Sequence, residues 1–196
     1  HNLQVEYIPQ LDKGLDSLAL MPDINWYSTM QEMWTPGEQG AAKHLSEFLP
    51  NGAEEYKNKR DFPDLCATSK LSPHLHFGEI SPNQIWYAAI HALNGNTEDV
   101  GLDCYLSELG WREFSHSLLF QFPHIPQKNF SPKFEHFPWR NDDKSLKAWQ
   151  LGQTGIPIVD AGMRELWQTG TMHNRVRMVV GSFLVKNLLI DWRKGE

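Results

Sequence analysis

The sequence predicts an all-α protein. Apolar residues recur at spacings of three and four along most of the chain, which is the period of an amphipathic helix. Alternating runs of β-branched residues between hairpin turns, the usual sign of strands, are scarce. The 196 residues suffice for one sizeable domain. Few periodic apolar positions occur at the start, so we predict a linker over 1–26 and one helical domain over 27–196.

Capping and stop residues delimit the predicted helices. Ser81 and Pro82 provide the N-cap and first residue of one helix, and Gly170 provides the C-terminal stop of another. Pro50 is expected to end the first helix. The segment 123–138 holds four prolines and is predicted to be a loop. The predicted helices and helical turns, in chain order, are 38–48, 56–63, 81–93, 99–120, 145–151 and 157–169.

The final segment, 171–192, is predicted to be one helix that is polar and basic at its start and apolar over the rest. Its apolar residues are too many for one stripe, so we expect most of its circumference to be buried. A helix N-terminus favours anions and polar ligands, and the first turns here carry His173, Asn174, Arg175 and Arg177. A core helix whose arginines pair with carboxylates is the alternative.

Charge and composition exclude several classes of protein. A net charge of −6 gives no global attraction for nucleic acid, so such a role requires a local basic patch. No apolar run reaches the length of a membrane span, and Lys186 interrupts the longest one. No signal peptide is visible. We expect a cytoplasmic protein, from the bacterial cytosol. Cys66 and Cys104 are too few for a disulfide framework or a zinc cluster and are expected to be buried, reduced thiols.

The segment 68–76 contains a candidate phosphate loop. Hydroxyls at Thr68, Ser69 and Ser72, together with backbone N–H groups near a helix start, can cradle a phosphate. An ordinary capping loop is the alternative on this segment alone. His74 and His76 have no third and fourth ligand at a useful spacing, so no metal site is predicted.

The helix over 99–120 carries an unusual face. Side chains three and four residues apart lie on one face of a helix, and this face holds Tyr105, Glu108, Trp111 and Arg112. Two rings, a carboxyl and a guanidinium suit stacking and hydrogen bonding to a planar ring. An intrahelical Glu108–Arg112 ion pair beside two core aromatics is the alternative.

The segment 155–163, GIPIVDAGM, combines a tight turn with small residues on one helix face. We predict that these small residues allow another helix to pack closely. A catalytic role for Asp160 is the weaker alternative.

Four motifs together carry a resemblance to a known family: TSKLSPHLHFGEISP, ELGWREF, GQTGIPIVDAGMREL and MHNRVRMVVGSFLVKNLLIDW. In order and spacing they resemble the FAD-binding helical domain of the DNA photolyase/cryptochrome family, from about Trp34 to Glu196, and they are most similar to class I-like cyclobutane pyrimidine dimer photolyases. The resemblance implies a multi-helical, all-α domain that is truncated on its C-terminal side. It also implies a missing N-terminal α/β domain, which would carry the antenna chromophore, a folate or a deazaflavin.

The resemblance assigns one set of residues to the FAD cofactor. These residues are Tyr56, Thr68, Ser69, Lys70, Leu71, Ser72, Tyr105, Arg112, Asn174 and Arg177. Tyr105 stands where the family often has tryptophan. Asn174 matches the residue that faces the flavin ring, and Arg177 matches an arginine whose usual aspartate partner would follow residue 196.

The resemblance assigns a second set of residues to damaged DNA, namely Arg60, Glu108, Trp111, Arg175 and Met178. Glu108 would hydrogen-bond the carbonyl or imide edge of a flipped pyrimidine dimer, and Trp111 would offer an apolar wall to its bases. Arg60 and Arg175 would neutralise the flanking phosphates and so provide the local basic patch.

The resemblance implies light-driven repair of cyclobutane pyrimidine dimers by electron transfer from excited, reduced FAD. Glu108, Asn174 and Met178 are the expected catalytic residues. They favour repair of cyclobutane dimers, because (6-4) photolyases have histidines in the region of Asn174 and Met178 and many cryptochromes change the glutamate. Trp139 and Trp192 match two members of the family's electron-transfer chain, and its third tryptophan is not in this sequence.

Two alternatives remain open: a cryptochrome that signals by flavin photoreduction, and a truncated fragment that folds without cofactor. We expect a monomer that acts on dimer-containing DNA and not on membranes. We also expect the 196-residue chain alone to bind FAD weakly or not at all.

Overall fold

The structure, a computed structural model, describes residues 15–195, and this part of the chain is helical with no strand. The all-α prediction is therefore confirmed. The helices are Ser28–Met33 (α1), Glu38–Gly52 (α2), Tyr56–Lys59 (α3), Ser72–His76 (α4), Pro82–Ala92 (α5), Val100–Gln121 (α6), Asp143–Gln150 (α7), Pro157–Thr169 (α8) and Asn174–Ser182 (α9). Short 3₁₀ turns cover Leu15–Leu18, Pro132–Phe134 and Trp192–Lys194. Nothing is described of residues 1–14, so most of the predicted 1–26 linker lies outside the described residues.

Helices α2 to α6 form the first helical group around one apolar cluster. The ring of Phe48 lies between two tyrosines, with centroids 6.0 Å from Tyr56 and 4.8 Å from Tyr105. Gly101 lets α6 begin against the backbone just before α3, because a Cβ there would lie 1.8 Å from the carbonyl oxygen of Glu54. The buried residues of this cluster are Ala41, Leu45, Phe48, Ala53, Tyr56, Leu71, Ile80, Ile85, Ala89, Leu102, Tyr105, Leu106 and Leu109.

Helices α7 to α9 form the second helical group around a separate cluster. Helices α8 and α9 approach closely at Gly162, where a Cβ would lie 2.4 Å from the Cγ1 atom of Val176. The close packing predicted for segment 155–163 is therefore present. The buried residues of this cluster are Trp149, Val159, Met163, Met172, Val176, Val180, Leu184 and Ile190.

Asp160 stabilises the turn before α8. It is 8% exposed, and its carboxylate accepts hydrogen bonds from the backbone N–H groups of Thr154 (2.7 Å) and Gly155 (2.9 Å). The Thr154 hydroxyl also donates to it, and this bond is the main reason that the pKa of Asp160 lies below its ordinary value. These contacts give Asp160 a structural role in the turn.

Several predicted helix ends are accurate because local capping chemistry decides them. Ser81 accepts from the backbone of Gln84, whose side chain accepts in return from the Ser81 N–H, so a complete capping box begins α5. Gly170 ends α8 with a φ of 74°. Pro50 does not end α2 as expected, and the helix continues to Gly52.

The final segment is not one helix from 171 to 192, and this prediction is wrong. Helix α9 covers Asn174–Ser182, a π-helical turn covers Phe183–Asn187, and Leu189 has a φ of 56°, which ends regular helix. The expected burial of most of its circumference is also wrong, because Met178 is 57% exposed. The helix buries one stripe of residues, Val176, Val180 and Leu184, on the second cluster.

The two groups meet at a polar boundary. We call this boundary the seam and define it as Arg60, Asp61, Glu108, His173 and Arg175, where the end of α3 and the middle of α6 face the start of α9. On another side of the molecule α1 packs on α8, and the Trp34 indole donates a 2.8 Å hydrogen bond to the Thr169 carbonyl. No helix within residues 15–195 has the length and apolar content that a membrane span needs.

Candidate functional site

Arg60 and Glu108 form the centre of the seam. The Arg60 guanidinium donates to the Glu108 carboxylate, and this bond raises the pKa of Arg60 above its ordinary value. The arginine side chain is 17% exposed and the glutamate side chain 38%. Cys104 Sγ lies 3.6 Å from the same guanidinium nitrogen, and the guanidinium carbon lies 5.1 Å from the centre of the Tyr56 ring. The Arg60 guanidinium thus contacts the carboxylate, the thiol and the ring at once.

The alternative ion pair between Glu108 and Arg112 does not form. The Arg112 guanidinium instead donates to the Glu113 carboxylate at 2.7 Å and to the Leu75 carbonyl at 3.3 Å. Glu108 therefore reaches across from α6 to the first residue after α3. Because the two partners are 48 positions apart in sequence, helical spacing could not reveal the pair.

Asp61 and Arg175 form a second ion pair at the seam. Arg175 donates from two nitrogens to the two carboxylate oxygens, at 2.8 and 2.9 Å. This bidentate bond holds the pKa of Asp61 below its ordinary value. Asp61 also lies 3.7 Å from Arg60 Nε. Both arginines of the expected local basic patch are thus paired with carboxylates, and sequence reasoning missed one of these partners, Asp61.

His173 connects the two ion pairs. Its Nε2 atom lies 3.0 Å from the Arg60 carbonyl oxygen, and its Nδ1 atom accepts from the Arg175 backbone N–H at 3.2 Å. Sequence reasoning placed His173 among the polar residues at the helix start but gave it no partner. The partner, Arg60, lies 113 positions away in the chain.

Two large exposed side chains flank the seam. Met178 lies one turn after Arg175, and its sulfur is 3.6 Å from an Arg175 guanidinium nitrogen. Trp111 lies one turn after Glu108, is 62% exposed and packs edge to face on Phe114. The Arg60–Glu108 pair is thus linked to Arg175 and Met178 through Asp61 and His173. Trp111 lies on the adjoining surface of α6.

The loop at 68–70 borders a cavity of about 540 Å³. Thr68, Ser69 and Lys70 line one side of this cavity, and residues of α2 and α3, including Phe48 and Lys59, line the other. Lys70 adopts a φ of 52°, which is uncommon for a residue with a side chain. Two hydroxyl-bearing residues and a lysine of this loop therefore border one concave surface.

The other residues expected at the cofactor lie outside this cavity. Tyr56 and Tyr105 are buried in the first cluster, and burial raises the pKa of Tyr56 to about 12 and that of Tyr105 above its ordinary value. The Leu71 side chain is 2% exposed and belongs to the same cluster, so only its backbone is available to a ligand. Ser72 is exposed at the start of α4.

Three further cofactor candidates lie on α6 and α9, the helices that carry Glu108 and Arg175 of the seam. Arg112 lies on α6, and Asn174 and Arg177 are exposed on the first turns of α9. The Arg177 guanidinium donates a 3.4 Å hydrogen bond to the Met172 carbonyl. The cofactor set is therefore divided among the 68–70 cavity, the buried first cluster, the start of α4 and the helices α6 and α9.

Trp139 and Trp192 come together at the far end of the second group. Both line a cavity of about 520 Å³ with apolar neighbours, among them Leu189. The Trp192 indole donates a 2.9 Å hydrogen bond to the Asn129 side chain, and the Trp139 ring lies 4.4 Å from that of Phe137. The left-handed Leu189 turns the chain back, and its carbonyl accepts from the Arg140 N–H at 2.7 Å.

The cysteines and histidines of the chain form no metal-binding group within residues 15–195. Cys66 is exposed, so its expected burial is wrong, and Cys104 is half-buried beside Arg60. His74 is 2% exposed, hydrogen-bonds Glu79 and lies 5.3 Å from the His44 ring. Burial and the neighbouring His74 lower the pKa of His44.

Comparisons with known proteins identify the family. The family model for the FAD binding domain of DNA photolyase matches residues 105–196. The chain is 52% identical, over 96% of its length, to the deoxyribodipyrimidine photo-lyase of Agrobacterium fabrum. It superposes on a bacterial class III photolyase from Agrobacterium tumefaciens with a TM-score of 0.87 at 50% identity, over 92% of this chain and 37% of that one.

A cryptochrome shares the same fold. The Synechocystis cryptochrome matches with a TM-score of 0.80 at 32% identity, over 89% of this chain and 37% of that one. The chain spans 39% of the length of the Agrobacterium fabrum relative, so the similarity concerns the helical part of such proteins. The helical fold, the family match and the identity over nearly the whole sequence agree, and the chain belongs to the DNA photolyase/cryptochrome family.

Proposed function

We propose that this chain is the helical part of a photolyase, and that the protein carrying it repairs cyclobutane pyrimidine dimers in DNA with light and reduced FAD. One observation carries the proposal. A carboxylate, two guanidinium groups and an exposed thioether meet on one surface, at Glu108, Arg60, Arg175 and Met178. The 52% identity to a deoxyribodipyrimidine photo-lyase supports it. The likeness to a class III enzyme favours class III over the class I-like group indicated by the sequence motifs.

The residues present fit an FAD molecule. Thr68, Ser69 and Lys70 border a cavity of about 540 Å³. Hydroxyl and ammonium groups of this kind suit the phosphates and ribose of a dinucleotide. Asn174, Arg177 and Arg112 would meet the ring system on the seam side. When bound, reduced FAD supplies the excited electron that opens the cyclobutane ring and accepts it back afterwards.

Glu108 would recognise the lesion itself. Its carboxylate accepts a hydrogen bond from Arg60, and carboxylate oxygens accept hydrogen bonds and do not donate them. An ionised carboxylate matches the imide N–H of a flipped thymine better than the carbonyl. Arg60 fixes the direction of the carboxylate, and the half-exposed Glu108 side chain is accessible to a base.

Arg175 and Trp111 would hold the DNA around the lesion. A phosphate could replace Asp61 as the partner of Arg175, because an exposed ion pair costs little to exchange. The exposed Trp111 ring offers an apolar wall to the flipped bases. We propose that the protein acts on damaged DNA in the cytoplasm as a monomer.

Light-dependent repair tests the proposal directly. The whole protein that carries this sequence, loaded with reduced FAD, is mixed with a thymine-dimer oligonucleotide and illuminated with blue light. We expect the absorbance at the thymine band to recover. Glu108→Ala should lower the rate by about tenfold or more, because it removes a hydrogen bond to the reacting base. Glu113→Ala, on the same helix but paired with Arg112, is the matched control and should repair normally.

A cryptochrome is the second candidate, because the Synechocystis cryptochrome has the same fold with a TM-score of 0.80. The same experiment separates the two. If the bound flavin is photoreduced but the dimer absorbance does not recover, the repair proposal is wrong and the photoreceptor function is favoured. Recovery that is equally fast in Glu108→Ala would leave repair intact but would remove Glu108 from it.

A further inference from the structure

His173 is bonded through both nitrogens of its ring, each to a different helical group. Nε2 lies 3.0 Å from the carbonyl oxygen of Arg60, which follows α3 in the first group. Nδ1 accepts at 3.2 Å from the backbone N–H of Arg175, in the first turn of α9 in the second group. The ring therefore spans the seam.

The two bonds define one tautomer. A carbonyl oxygen can only accept, so Nε2 must carry the hydrogen. A backbone N–H can only donate, so Nδ1 must carry the lone pair. The neutral ring with its hydrogen on Nε2 satisfies both contacts at once, and the other neutral tautomer satisfies neither.

The residues fixed by this ring are those that bear the two ion pairs. The Arg60 carbonyl lies in the peptide bond that joins Arg60 to Asp61. The Arg60 side chain pairs with Glu108, and the Asp61 side chain pairs with Arg175. Arg175 is the residue whose N–H binds the other side of the ring. A shift of either bond would change the spacing of both pairs at once.

Helix capping alone does not explain a histidine here. Asparagine, aspartate and serine are the favoured N-cap residues, and each of them can accept from the first turn of α9. Their side chains are too short to reach the Arg60 carbonyl as well. Only a side chain with a second polar atom farther out can serve both groups.

We propose that His173 is a positioning residue for lesion recognition: by bridging the Arg60 carbonyl and the start of α9, it sets the distance between the Arg60–Glu108 and Asp61–Arg175 pairs. This inference rests on the proposed function. His173 does not touch the DNA itself and acts through Arg60 and Arg175. Its loss should therefore reduce the preference for damaged over undamaged DNA.

Two substitutions separate the two bonds of the ring. In His173→Asn the amide oxygen takes the place of Nδ1, so the cap of α9 is kept and the bond to Arg60 is lost. In His173→Gln the amide nitrogen takes the place of Nε2, so the bond to Arg60 is kept and the cap is lost. If His173 only capped α9, His173→Gln would have a larger effect than His173→Asn, because only the asparagine keeps the cap.

The experiment measures the affinities of the whole protein for a thymine-dimer duplex and for the same duplex without damage. We expect His173→Asn to lower the ratio of the two affinities by about tenfold, the effect of one lost hydrogen bond, and His173→Gln to stay within about threefold of the wild type. The ratio is the chosen readout, because partial unfolding lowers both affinities equally and leaves it unchanged.

Two results would overturn the inference while leaving the proposed function intact. One is a wild-type preference for the dimer that His173→Asn retains in full. The other is a glutamine variant that loses the preference as fully as the asparagine variant. If the wild-type protein itself shows no preference for the dimer, the proposed function and the inference both fail.

Discussion

The two helical groups differ in how their helices are held together. The first group packs three rings, those of Phe48, Tyr56 and Tyr105, at the centre of its cluster. Its close approach at Gly101 is to backbone, whereas in the second group the close approach of α8 and α9 at Gly162 is to a side chain, that of Val176. Each group has its own apolar cluster, and the contacts at the seam are hydrogen bonds and ion pairs. The comparison teaches that a ligand can rearrange the seam without disturbing either core.

The energetic contrast between core and seam is large. Ion pairs that are partly exposed contribute about 0–1 kcal/mol each, whereas a misplaced methyl group in a packed core costs about 1–3 kcal/mol or more. The side chains of the Asp61–Arg175 pair are nearly half exposed, so solvent screens their attraction. A binding surface built from such contacts can exchange partners at little cost.

The largest loss of stability is expected from a substitution in the first group, Gly101→Ala. The new methyl group would lie 1.8 Å from a backbone oxygen of Glu54, and backbone at the entry to α3 cannot move aside as a flexible side chain can. We expect a loss of about 3 kcal/mol or more in the free energy of unfolding, measured by urea denaturation.

Gly110→Ala is the matched control for that substitution, because it lies on the same helix and a Cβ there meets nothing within 4 Å. It should leave stability unchanged or raise it by up to about 1 kcal/mol, since alanine favours helix. Equal stability of the two variants would contradict the close approach of α6 to α3.

A smaller effect is expected in the second group, from Gly162→Ala. Here the methyl group would meet a side chain, Val176 Cγ1 at 2.4 Å, and a side chain can give way in part. We expect a loss of about 1–3 kcal/mol. The control is Gly181→Ala, also in this group, where a Cβ meets nothing within 4 Å. A greater loss in Gly162→Ala than in Gly101→Ala would reverse the comparison between the groups.

The parts of the fold that the sequence predicts well are those decided locally. The capping box at Ser81, the left-handed stop at Gly170 and the small residues around Gly162 each involve short-range chemistry, and each is found as predicted. The predicted helix over 171–192 fails because Leu189 adopts a left-handed φ of 56°, which nothing in its residue type indicates.

A smaller effect is expected from pH: the two groups should lose stability at different pH values. In the first group the pKa of His44 is lowered from 6.5, so the unfolded chain takes up a proton first and stability falls once the pH drops below about 6.5. In the second group the pKa of Asp160 is lowered from 3.8, so its contribution is lost only below about pH 4.

Thermal unfolding followed from pH 8 to pH 3 checks this order. His44→Gln should remove most of the decrease in Tm between about pH 6.5 and 5, and Asp160→Asn should lower the Tm at neutral pH by several degrees. A Tm that stays constant down to pH 4 in the wild type would show that His44 titrates normally in the folded chain.

The site was only partly accessible to sequence reasoning. Motif resemblance selected Arg60, Glu108 and Arg175, which the structure does bring together. It did not select Asp61, whose partner lies 114 positions away, because a long-range ion pair leaves no trace in spacing. It also predicted a local basic patch without its carboxylate partners, because a motif indicates which residues are present but not which carboxylates face them.

The salt dependence of DNA binding tests most directly the central claim that damaged DNA binds at the seam. The whole protein is titrated with a thymine-dimer duplex at several salt concentrations, and the logarithm of the affinity is plotted against that of the salt concentration. Arg175→Gln should make the slope shallower by about one, because one phosphate contact is lost. Lys147→Gln, an exposed cation on α7, should leave the slope unchanged. An unchanged slope in Arg175→Gln would contradict the claim.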